Sequence, residues 1–131
     1  MSDEVGLYLV FRRTRELLYM TPLGHNQYRL EESSFCGLLR FGDTIEAYAP
    51  SEDGSVRYRR MVKRSELKTH NWILSREVAE SPELSELIQR IESQGGCCER
   101  IAGGMFFAHL PKDTNIDIVH ELTQLRQRLK Q

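Results

Sequence analysis

Two constellations in this chain carry side chains able to do chemistry. The first is Cys98 with His109. A thiol beside an imidazole can become a thiolate–imidazolium nucleophile. Cys97 to Ala102 and Met105 to Leu110 read as two strands turning at Gly103-Gly104. With a loop of two or four residues, Ile101 pairs with Phe106, Arg100 with Phe107, and Cys98 faces His109 at roughly 4.5–5.5 Å between Cβ atoms. Cys97, Ile101, Phe106, Ala108 and Leu110 then form the other face, the side for helices to cover. Arg100 could lower the thiol's pKa. Yet no acid or amide stands where it would orient His109, and no oxyanion donors are evident. Cys98 reads rather as a small buried hydrophobe against the first lobe.

The second constellation is the run from Val56 to Arg64, which follows the turn Asp53-Gly54. Regular strand pairing puts Arg57, Arg59, Met61 and Lys63 on one face. Val56, Tyr58, Arg60, Val62 and Arg64 fall on the other. The Arg59-Arg60 doublet breaks this alternation and predicts a bulge. The candidate binding residues are therefore Arg57, Arg59, Lys63 and Arg64, a cationic ridge extended by Arg12, Arg13 and Arg15. Such a ridge suits phosphates or an acidic protein surface. Charges also keep an edge strand from pairing with another molecule. Tyr58 points away from the ridge, so the aromatic-plus-basic arrangement of single-strand binders is not expected there.

Other residues read as structural. Adjacent cysteines on a strand point to opposite faces, so Cys97 and Cys98 do not share a metal, and His25, His70, His109 and His120 lack ligand spacing with them. No cofactor or metal is expected. Met105, Phe107 and His109 would share a face, which gives one strong stacker rather than an RNA recognition surface. In Phe41-Gly42-Asp43, glycine permits a positive φ and the aspartate can bond backbone amides across the turn. Glu80, Glu83, Glu86 and Glu92 make one helix acidic on its open face.

The elements that must position these residues follow from periodicity. Strands are predicted at Gly6–Arg13, Leu17–Thr21, Gln27–Leu30, Thr44–Ala49, Val56–Arg64 and Asn71–Val78. Leu84, Leu87, Ile88 and Ile91 then fall on one helical face, after Ser81 as N-cap and Pro82 at the first position. Gly95-Gly96 ends that helix. After the 97–110 hairpin a last helix starts near Thr114 to Ile116, with Val119, Leu122, Leu125 and Leu129 as its seam and Arg128 and Lys130 in its last turn. The expected fold class is α+β: an antiparallel barrel-like or strongly bent sheet, followed by a β-α-β-β-α unit like a ferredoxin-like fold without its final strand. At 131 residues the chain is expected to be one domain, with sub-lobes at about 5–69 and 70–131 sharing a core.

Composition narrows the function classes. The net charge is −1 and 28% of residues are charged, so any attraction for nucleic acid or an anionic membrane must come from a local patch. The apolar run Leu7 to Phe11 is too short for a signal core or a membrane span, and the cytoplasm is the expected location. Three cysteines, two adjacent, make no disulfide framework and read as reduced thiols.

Leu18-Tyr19-Met20-Thr21-Pro22-Leu23-Gly24, Tyr28-Arg29-Leu30 and Phe41-Gly42-Asp43 together resemble an uncharacterised bacterial family of unknown function, over about Leu17 to Ser75. The resemblance implies a small bacterial cytoplasmic protein and carries over no functional residues. The side chains able to react are scattered, and surface charge is segregated. The reading is therefore a non-enzymatic regulatory or immunity-type protein that contacts another protein. Nucleic-acid binding through the same ridge is the second class, and a cysteine-dependent enzyme using Cys98 and His109 the third. The uneven charge is also compatible with self-association.

Overall fold

The computed structural model describes residues 3–35, 37–101 and 104–129. Cys36, Gly103 and Lys130, which entered the expectations above as a thiol, a turn residue and a helix-end cation, lie outside the described residues. The chain divides into two compact units, Met1–Ser65 and Glu66–Gln131. Its buried apolar residues fall into two clusters, one within each.

The first unit is a closed five-stranded barrel: β1 (Val5–Phe11), β2 (Thr14–Gly24), β3 (Gln27–Leu30), β4 (Thr44–Ala47) and β5 (Val56–Lys63). Leu9, Leu18, Met20, Leu30, Ile45 and Val56 fill its interior. They alternate with exposed positions, the period-two pattern of a sheet with one buried face. Successive strands pair antiparallel, but β5 closes against β1 in parallel, Leu9 beside Val56 and Val10 beside Arg57. The expectation of a wholly antiparallel sheet is corrected at this seam. The β1–β2 turn is Arg12-Arg13, with Arg12 at φ 57°, and Thr14 Oγ1 donates to the Phe11 carbonyl at 2.8 Å. No Gly, Asn or Asp announces it, so β2 starts three residues earlier than its apolar run suggests. The Gly42 turn takes φ 86°. Beside it, buried Asp43 accepts from the Arg40 and Ser65 amides at 2.9 and 2.8 Å.

In the second unit β6 (Lys68–Ile73), β8 (Met105–Leu110) and β7 (Cys97–Ile101) form a three-stranded sheet with β8 in the middle. Three helices accompany it: α1 (Arg76–Ala79), α2 (Pro82–Ser93) and α3 (Ile118–Arg128). Phe106, Ala108 and Leu110 of β8 pack with Leu84, Leu87 and Ile91 of α2 and with Ile118, Leu122 and Leu125 of α3. Ser81 caps α2, accepting from the Leu84 amide, and Pro82 holds the first helical turn, as the sequence predicts.

Three boundaries differ from expectation. β6 begins at Lys68 and stops at Ile73, because Ser75 Oγ accepts from the Val78 amide and caps α1. Asp117, accepting from the His120 amide, starts α3 later than Thr114–Ile116. That cap rotates the seam onto Ile118, Leu122 and Leu125 and leaves Val119 exposed.

Candidate binding ridge and buried histidine network

The ridge on β5 forms, but not on the faces that plain alternation assigns. Ala47 pairs with Tyr58 and Glu46 with Arg60, so Arg59 is an extra residue; Ile45 pairs with Met61 and Thr44 with Lys63, so Val62 is a second. Each bulge resets the alternation. Met61 consequently packs against the barrel core with Tyr58, and Arg60 joins Arg57, Arg59 and Lys63 outside. The Arg59-Arg60 bulge was legible in the doublet; the Val62 bulge had no signal in the sequence.

The bulge turns both arginines toward one carboxylate. Arg59 and Arg60 donate to Glu46 at 2.8 and 3.1 Å. The hydrogen bond from Arg60 leads the effects that hold the Glu46 carboxyl below its usual range, with the charges of Arg60 and Arg59 acting in the same direction. Arg64 stands apart from this group. It donates to the Leu38 carbonyl at 2.8 Å and to Asp43 at 3.0 Å, pinning the 38–43 loop to the end of β5. Two positive charges facing one glutamate leave a net positive patch.

Aromatic rings lie under these guanidinium groups, which the sequence reading missed. Arg59 sits 5.6 Å from the ring centre of Tyr48, and Arg15 sits 4.5 Å from that of Tyr8. Both tyrosines are about half exposed, at 52% and 47%. Arg12 covers Phe11 at 5.2 Å, and Phe11 meets Tyr58 edge to face at 4.8 Å. Tyr58 points inward, as expected. A guanidinium placed over an aromatic ring is attracted by the ring's π face, which favours one orientation of the cation. The β1–β5 seam also changes the reading of the charges. Arg57 stands beside Val10 of β1 on one side and accepts from the Tyr48 amide at 2.9 Å on the other, so edge protection does not explain it.

Cys98 and His109 are not brought together. Cys97 stands opposite His109, Cys98 opposite Ala108 and Ile101 opposite Met105. Three residues, 102–104, connect the strands, an odd number that slips the register by one relative to the expected two or four. Cys98 and Arg100 therefore lie on the helix-facing side with Phe106 and Ala108, and Cys97 moves to the other face. Burial, then the neighbouring Cys97 and Glu92, push the Cys98 thiol up to about 12. A thiol held that far above neutral pH is a poor nucleophile.

His109 is 0% exposed and engaged at both ring nitrogens. Thr69, its direct partner on β6, bonds Nδ1 at 2.8 Å, and Glu99 bonds Nε2 at 3.1 Å. The Glu99 carboxylate accepts from Nε2–H, and the Thr69 hydroxyl shares the second bond with Nδ1. The Phe107 ring stacks beside it with centres 6.3 Å apart and planes 8° apart. The sequence reading found no acid to orient this histidine, because Glu99 reaches it only diagonally in the slipped register. Hydroxyl, imidazole and carboxylate stand in the order of a hydrolase relay. Full burial of the imidazole makes this network a satisfied polar part of the core.

Among the described residues, no helix is long and apolar enough to cross a membrane. The chain matches no family model and no curated protein. It is similar in structure to a hypothetical protein from Neisseria gonorrhoeae, with a TM-score of 0.62 and 15% identity, over 99% of this chain and 91% of the other. That likeness extends to the fold alone. It is consistent with the uncharacterised family that the first-half residues resemble.

Proposed function

We propose that this is a non-enzymatic bacterial cytoplasmic binding protein of regulatory or immunity type, which contacts an acidic protein surface through the outside of its barrel. The contact is the ridge Arg57, Arg59 and Lys63, with Arg64 anchoring one end. The observation that carries the reading is the bulge at Arg59, which turns two arginines outward against a single glutamate. Complementary charge of this kind sets partner choice and association rate. Reversing the charge at Arg57, Arg59 and Lys63 tests it: capture of the partner falls while the barrel's circular dichroism stays as in the wild type.

A second reading has its own support. Tyr48 beneath Arg59 and Tyr8 beneath Arg15 place aromatic faces beside cations, the arrangement on which single-stranded nucleic acid stacks. That reading requires affinity that falls steeply with salt. Retention on RNA or DNA columns at low salt separates the two. For the second unit, the order β6-β8-β7 with α2 between β6 and β7 supports a ferredoxin-like unit lacking its final strand.

A further inference from the structure

The slipped register has a second effect. It places Arg100 on the helix-facing side of the sheet, beside Phe106, at the mouth of an apolar cavity of about 250 Å³. Leu74, Ala79, Leu84, Ile101 and Met105 also line it, and no carboxylate borders it among the described residues. A separate hollow, which shares Leu74, Ala79 and Gly104 with it, is flanked by Arg76 and Glu80. Gly104 holds this rim closely. Its φ is 82°, its carbonyl accepts from the Leu74 amide at 2.8 Å, and a Cβ there would lie 2.5 Å from the Leu74 oxygen. Arg76 is paired with Glu80, whereas Arg100 makes no ion pair among the described residues.

We propose that this groove binds a short-chain aliphatic carboxylate, with its chain against Leu84 and Phe106 and its carboxylate on Arg100. The assignment is independent of the barrel ridge. An exposed arginine at the rim of an apolar cavity, with no acid beside it among the described lining residues, complements an anion joined to a hydrocarbon tail. A cavity of about 250 Å³ suits a chain of a few carbons rather than a long acyl tail. Hexanoate has that size. The competing account is that Arg100 is an inward-pointing charge guarding the edge strand β7 against pairing with a second molecule.

Titration of the full chain with sodium hexanoate, followed by amide NMR shifts, separates them. Saturable shifts are expected at Leu74, Ala79 and Gly104, with hexan-1-ol at least fivefold weaker. Arg100→Gln should weaken hexanoate about tenfold, and Ala79→Met, which fills the cavity, should abolish binding without altering circular dichroism. Equal affinity for acid and alcohol, an Arg100→Gln variant that self-associates while binding hexanoate unchanged, or no saturable shift would each overturn the proposal.

Discussion

Arg59 donates to Glu46 at 2.8 Å across a β-bulge that also brings in Arg60. The pairing stabilises the ionised carboxylate, so its folded-state pKa lies below the ordinary value of 4.5. A lowered carboxyl contributes stability above the unfolded pKa and loses it as pH falls through the folded one. The urea midpoint of the wild type should therefore exceed that of Glu46→Gln at pH 7. The two should converge as pH drops below about 4.5. A gap that stays constant into acid contradicts the pairing.

Asp43, 1% exposed, accepts from two amides and from Arg64. Asp43→Ala strands these donors and should cost about 2–3 kcal/mol in urea unfolding. Asp43→Asn keeps acceptor capacity and should cost less. Equal losses would mean that the carboxylate's charge, rather than its acceptor geometry, makes the cap.

Burial first, and then its neighbours' charges, push the Cys98 thiol up to about 12. At pH 8 it holds roughly a thousandfold less thiolate than an unperturbed cysteine. Iodoacetamide followed by peptide mass analysis should find Cys98 modified at least a hundredfold more slowly than free cysteine, with the rate still climbing above pH 9. Alkylation at the free rate would restore the nucleophile reading.

Much of the fold was legible in the chain, because its signals are local. Ser81-Pro82 opens α2, Gly42-Asp43 makes its turn, and the Arg59-Arg60 doublet marks its bulge. The misses share a cause: they depend on counting residues between partners. A loop of three rather than two or four residues moved Cys98 away from His109, and a second bulge, at Val62, returned Lys63 to the outside after Met61 had turned inward. Neither count leaves a mark in residue type. The orienting groups of His109 were invisible for the same reason, since Thr69 is forty positions away in sequence.

Thr69→Val tests that network. It removes the hydroxyl bonded to His109 Nδ1 within a buried network, at a cost of about 1–2 kcal/mol. Chemical denaturation of the variant measures it. A neutral outcome would show that the bond contributes nothing net.

The most direct test of the central claim compares wild type with Arg57→Glu/Arg59→Glu/Lys63→Glu as bait in nuclease-treated bacterial lysate, with retained proteins identified by mass and affinity then followed against salt. The account predicts a protein held by the wild type, released by the reversal, and bound more weakly as salt rises. The same protein held equally by both baits, or retention that depends wholly on intact nucleic acid, would contradict it.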